Sequence, residues 1–122
     1  MNSKKGDCIF CQIIDKKLPA KVEYEDGRCI VFHTIEPMTE VHWLLVPKKH
    51  ISSVAQMKDQ ELDEIAYLFK VARDLAREKG IPGYKLLMNV NKEGGQVIFH
   101  IHLHFLSGKQ IVKGQDQVLF GT

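Results

Sequence analysis

Cysteine is scarce in this chain, charge of one sign is not in excess, and no apolar run is long enough to span a bilayer. Three cysteines, Cys8, Cys11 and Cys29, do not make a disulfide framework. Seventeen Lys and Arg against 15 Asp and Glu leave a net charge of +2, too little to argue for nucleic acid or an anionic membrane surface. No basic run exceeds a pair such as Lys48-Lys49. Residues Met1 to Asp7 lack the apolar stretch of a signal peptide, so the expected location is the cytoplasm. Repeats, low-complexity tracts and linkers are also missing. What remains is 122 residues of ordinary globular composition, enough for one domain around a single core.

Element signals are spread along the whole chain. Cys8 to Ile14 is apolar enough for a short helix, ended by the turn chemistry of Leu18-Pro19. Val22 to Tyr24 and Arg28 to His33 read as strands around the turn signal Asp26-Gly27, and Val41 to Val46 as a third strand stopped by Pro47. A long helix is expected from about Asp59, as N-cap, to Lys79, with Gly80 and Pro82 as stop signals. Leu62, Ile65, Phe69, Ala72 and Leu75 would form its buried stripe. Tyr84 to Asn89 is a fourth strand and Gln96 to Phe105 a fifth, with Ser107 to Thr122 a polar, weakly patterned tail. Neighbouring strands, short loops and one long helix predict an α+β fold with an antiparallel sheet.

The fifth segment carries the chemistry. His100, His102 and His104 alternate with Ile101, Leu103 and Phe105, so a strand would send the three imidazoles to one face and the apolar residues to the other. Alternate residues lie about 6.5–7 Å apart, close enough for adjacent histidines to converge on one metal or one anion. Aliphatic residues would fill that face without nitrogens to satisfy. Imidazole can serve as nucleophile, proton donor or metal ligand near neutral pH. Upstream, Gly94-Gly95 permits close backbone approach and Gln96 adds an amide, which together suggest phosphoryl chemistry. A polar ladder on an exposed face, or a catalytic zinc on an H-x-H pair, are the competing readings.

His100 to Leu106 has the H-φ-H-φ-H-φ-φ form, φ being apolar, of the histidine triad (HIT) superfamily, and the chain resembles that family's Hint branch. Cys8-Ile9-Phe10, Phe32-His33, Val46 to Ile51, Met88-Asn89 and Gly94-Gly95-Gln96 follow the same order and spacing. The resemblance covers about residues 8 to 109 and leaves 110–122 as a tail of a single domain, 1–122. It implies an α+β domain with a five-stranded antiparallel sheet, pairing into a homodimer with a continuous sheet. It also implies hydrolysis of purine nucleoside phosphoramidates and related adenylated amines, with a purine nucleotide such as AMP or GMP bound. By matching position, His102 is the expected nucleophile forming a nucleotidyl-histidine, with His104, Gln96 and the Gly95 region on the phosphate oxygens. Asn89 is expected on the ribose and phosphate side, and Phe10, Ile13, Leu18, Phe32, His33 and Ile35 around the base.

The same resemblance gives meaning to Cys8-x-x-Cys11, otherwise two small residues on a short apolar helix. In zinc-bearing members of bacterial type, two such cysteines join histidines placed as His50 and His100 around a structural, tetrahedral zinc. A zinc-bound His50 would not be the acid that protonates the leaving amine. Two positions depart from the family pattern. Thr34 stands where an aspartate usually grips the ribose hydroxyls, and Val97 where a serine commonly assists near the phosphate. Thr34 predicts lower nucleotide affinity or looser sugar discrimination, and Val97 slower phosphoramidate turnover. A nucleotide-binding or protein-interaction module with little turnover, and a zinc-water metallohydrolase, therefore stand beside the hydrolase reading. His42 and Trp43 read as core or interface packing, Lys48 and Lys49 as a solvated pair, and Glu36 as uninvolved.

Overall fold

The computed structural model describes residues 5–111. Two helices, α1 (Ile9–Ile14) and α2 (Leu62–Lys79), and five strands, β1 (Val22–Glu25), β2 (Cys29–His33), β3 (Thr39–Pro47), β4 (Lys85–Leu87) and β5 (Leu103–Gln110), make up the regular structure. The sheet is antiparallel throughout, in the order β1-β2-β3-β5-β4. This is the α+β architecture that the sequence predicts. Among the described residues no helix is long and apolar enough to cross a membrane.

Strand alternation divides the core in two. Odd-numbered Cys29, Val31, Trp43, Leu45, Leu103 and Phe105 pack with α2. Even-numbered Ile30, Phe32, Leu44 and Val46 pack with Phe10, Cys11 and Ile13 of α1. The even face of the sheet therefore has only a short helix over it and remains open beside it, which is where the histidines emerge.

The β1–β2 turn is built as Asp26-Gly27 predicts. One Asp26 carboxylate oxygen accepts the N–H groups of Arg28 (2.7 Å) and Cys29 (2.9 Å), and the other accepts the hydroxyls of Tyr24 (2.7 Å) and Tyr67. Burial pushes this carboxyl up, but the four donors outweigh it and hold its pKa well below the usual carboxylate range. Tyr67 lies on α2, so the turn and the helix are fastened together.

Several expected boundaries differ. Asp59 does not cap the long helix; a 3-10 turn, Asp59–Glu61, precedes it, and the Glu61 carboxylate accepts the Lys58 N–H at 2.9 Å. The buried stripe is Leu68, Val71, Ala72, Leu75 and Ala76, while Leu62 and Phe69 are about half exposed. The helix has apolar residues enough for two overlapping stripes, and the sheet takes the one whose alanines allow close approach. The fourth strand is shorter than Tyr84 to Asn89 because it lies at the sheet edge and pairs only with β5 over Lys85 to Leu87. The fifth begins at Leu103 rather than Gln96. Before that point the chain bonds to the loop after β3, Ile101 N–H to the Ile51 carbonyl at 2.8 Å, instead of to a strand. Ser107 to Gln110, expected in the tail, continue β5 against β3. The remaining tail, 112–122, lies outside the described residues.

Candidate functional site

His102 and His104 stand on the even face, buried and half-buried, with ring centroids 5.0 Å apart. The Nδ1 of His102 lies 2.8 Å from the His100 carbonyl oxygen. A carbonyl only accepts, so Nδ1 carries the hydrogen and Nε2 keeps its lone pair. Burial pushes the His102 pKa down against that hydrogen bond, keeping the ring neutral. A neutral imidazole with a free Nε2 lone pair is a nucleophile that needs no prior deprotonation.

His104 has the opposite tautomer, for a traceable reason. The backbone N–H of Met38 donates to His42 Nδ1 at 3.0 Å, so His42 must carry its hydrogen on Nε2. That Nε2 lies 2.9 Å from His104 Nδ1, which therefore accepts and leaves the His104 hydrogen on Nε2. Burial pushes His42 down to about 4 and His104 to about 3, so both rings are neutral at pH 7. The face thus offers one imidazole lone pair beside one imidazole N–H donor. His42 was legible only as a packing residue in the sequence. The usable signal was parity: β3 pairs Leu44 with His104, so His42 shares the even face.

A cleft of about 470 Å³ opens beside these rings. Phe10, Ile13, Phe32, His33, Thr34 and Ile35 line it, together with Pro19, Ala20, Leu44 and Ile98. Phe10 joins the cleft to the histidines, its ring 5.6 Å from Phe32 and 5.0 Å from His102. Leu18 is not in the lining; its N–H closes the turn after α1 on the Gln12 carbonyl, and Pro19 and Ala20 form the wall instead. The His33 imidazole is engaged by Glu23 at 2.5 Å, and Glu23 also meets Lys79 at 2.6 Å. Ile35 is 96% exposed at the rim.

The glycine turn is differently used from the sequence expectation. The N–H groups of Gly94 and Gln96 both bond the Asn91 carbonyl, and that of Gly95 bonds Lys92, each at 3.0 Å. Gln96 is buried, with its amide nitrogen on the Ser52 (2.7 Å) and Ile98 (3.0 Å) carbonyls and its oxygen on the Asn91 N–H (2.8 Å). These groups hold the loop, and none of them is a spare donor for phosphate. Gly95 has φ +90°, and a Cβ there would meet the Asn89 amide at 3.6 Å. Val97 is 83% exposed and brings no polar group.

On the other side of His102, Cys8, Cys11, His50 and His100 converge, their ligand atoms all within 4.8 Å of one another. Cys8 Sγ lies 3.2 Å and Cys11 Sγ 3.5 Å from His100 Nδ1, Cys11 Sγ 3.3 Å from His50 Nδ1, and the two Nδ1 atoms are 3.1 Å apart. A tetrahedral zinc with bonds of about 2.0–2.3 Å has edges of about 3.3–3.8 Å, so these separations fit one with slight expansion. His100 Nε2 donates to the Pro47 carbonyl at 2.7 Å, which turns the Nδ1 lone pair toward the cluster. Four soft or borderline donors facing one another suit zinc. Such an ion would tie α1, the loop after β3 and the segment leading into β5 together, two residues from His102. Cys29 is apart from this cluster, buried against α2, with its thiol pushed up to about 12 by burial.

Residues 15–111 match the family described as HIT domain. The chain is 37% identical over 101 residues to Protein HitA of Neisseria gonorrhoeae, covering 82% of this chain and 94% of that protein. A HIT family hydrolase from Legionella pneumophila superposes with TM-score 0.81 at 39% identity, covering 87% of this chain and 96% of the other. A zinc-bound histidine triad family protein from Mycobacterium smegmatis gives TM-score 0.75 at 29% identity, covering 87% and 78%.

Proposed function

The chain belongs to the HIT domain family, and from that premise we propose that it is a nucleotide hydrolase of the Hint branch. Its substrates are purine nucleoside 5′-phosphoramidates or related adenylated amines. The observation that carries this reading is the hydrogen bond from His102 Nδ1–H to the His100 carbonyl, which leaves Nε2 as the attacking lone pair.

In the first step His102 Nε2 bonds to the α-phosphorus while the phosphorus–nitrogen bond breaks, and the amine leaves with a proton from solvent. The His104 Nε2–H donates to a non-bridging oxygen as charge builds there. Water then attacks the nucleotidyl-histidine, releasing the nucleoside monophosphate and regenerating the neutral ring. Phe10, Phe32 and Leu44 take the faces of the base, and Asn89 stands on the ribose and phosphate side.

Cys8, Cys11, His50 and His100 would hold a structural zinc, which supplies rigidity rather than chemistry. Four protein ligands leave no open position for a reactive water, which argues against the metallohydrolase reading. The half-exposed Leu62 and Phe69 on α2 and the edge strand β4 support pairing into a homodimer. We also assign the whole chain to one domain and to the cytoplasm.

A second reading, a nucleotide-binding module with little turnover, is favoured by the internally bonded donors of Gly94 to Gln96 and by Thr34 and Val97. Incubation with adenosine 5′-phosphoramidate separates the two. Release of AMP by the protein and a loss of about a thousandfold or more in His102→Ala supports the hydrolase. Bound AMP without turnover selects the module.

A further inference from the structure

The cleft is lined mostly by apolar side chains. Of its lining side chains, only Lys21, His33, Thr34 and Glu36 are polar. His33 is taken by Glu23, and the Thr34 hydroxyl accepts the Glu36 N–H at 3.3 Å. The Lys21 ammonium and the Glu36 carboxylate are engaged by no hydrogen bond or ion pair among the described residues. Two exposed residues of opposite charge thus line the same cleft as the apolar Phe10, Phe32 and Leu44.

Their position in the fold places them away from the phosphorus. His102 and His104 belong to the β5 side of the sheet, whereas Lys21 leads into β1, bonded through its carbonyl to the His33 N–H at 3.0 Å. Three strand spacings separate these sides, about 14 Å. That is comparable to the reach of a nucleotide from its phosphate to the far edge of a purine. Glu36 lies in the loop from β2 to β3, and its turn is closed by the Thr34 hydroxyl.

Building on the nucleotide reading above, we infer that this pair sets base preference, selecting guanine over adenine. Guanine presents N1–H and the exocyclic N2–H₂ side by side, a pair of donors that a carboxylate accepts with both oxygens, and its O6 accepts from an ammonium. Adenine presents N6–H₂ beside the N1 lone pair, so a carboxylate that accepts the first meets the second. Glu36 accepts from the guanine N1–H and N2–H₂, and Lys21 donates to O6. Thr34 is a positioning residue, holding the turn that carries Glu36.

Calorimetric titration of the full chain with GMP, IMP and AMP tests this assignment. GMP should bind about tenfold more tightly than AMP, with IMP, which lacks the exocyclic amino group, between them. In Glu36→Gln the GMP-to-AMP ratio should fall to about two. Equal affinities for GMP and AMP in the unaltered chain, or preference for AMP, overturn the inference. So does a Glu36→Gln variant that weakens both nucleotides by the same factor, since that places the carboxylate on the shared ribose. Failure of the nucleotide reading looks different: none of the three monophosphates would bind.

Discussion

Replacing His42 tests whether the tautomer of His104 is set by its neighbour. The side chain is 4% exposed and joins two groups, accepting from the Met38 N–H and donating to His104 Nδ1. In His42→Ala both are stranded beside a small cavity. At about 1–3 kcal/mol for each stranded group, the cost should be about 3 kcal/mol. For a domain of this size that lowers the melting temperature by about 12 °C. The kinetic effect should be separate. Without the donor, His104 can take its hydrogen on Nδ1 and present a lone pair to the phosphate oxygen. A fall of about 10- to 100-fold in kcat, with little change in KM, is expected. His42→Gln restores an N–H near the position of Nε2 and should recover most of kcat, while the Met38 N–H stays loose and stability returns only in part.

The same pair fixes a pH dependence. Burial holds His42 near 4 and His104 near 3 in the folded chain, below the ordinary histidine value of about 6.5. The unfolded chain therefore takes up protons first on acidification. Stability is fully present above about pH 6.5 and falls as pH drops toward 4, by up to about 1.4 kcal/mol per pH unit for each ring. His42→Gln should lose stability less steeply over that range, measured by urea unfolding at several pH values. A folded His42→Ala that keeps kcat within twofold, or a His42→Gln as slow as His42→Ala, refutes control of the His104 tautomer by His42.

Chelation of zinc should lower the melting temperature by about 15 °C, corresponding to about 4 kcal/mol, and change the chemical step by only a few-fold; melting unchanged by metal removal would refute the structural assignment. Val97→Ser should raise turnover of adenosine 5′-phosphoramidate, read as kcat, by returning a donor beside the phosphate. Asp26→Asn should cost about 2–3 kcal/mol in urea unfolding by weakening the acceptor of four hydrogen bonds. Because the Asp26 pKa is depressed, its contribution is present above about pH 4 and is lost as pH falls below that, so the asparagine variant should show a shallower acid limb.

Alternation made the histidine face legible, since a period of two holds wherever the chain is extended, even where no ladder forms. It did so at His102, which precedes the regular strand, whereas His100 lies in a bend. The hairpin at Asp26-Gly27 was equally plain, because its hydrogen bonds lie within four residues of one another. The helix stripe was not, because Leu62, Phe69 and Leu68 are all apolar and only contact with the sheet selects among them. Gln96 was legible as a polar group in the right place, but its burial against Ser52, 44 residues away, was not.

By itself the sequence determined the helix and strand types, the antiparallel class and the face shared by His102 and His104. Those follow from backbone periodicity and turn chemistry, which act over a few residues. Only the tertiary structure decided which nitrogen of each imidazole carries the hydrogen, that His42 bonds His104, that the glycine-turn donors bond inward, and that Lys21 and Glu36 line the cleft. Each of these depends on which carbonyl or N–H arrives from a distant segment, and that is set when strands pair and pack.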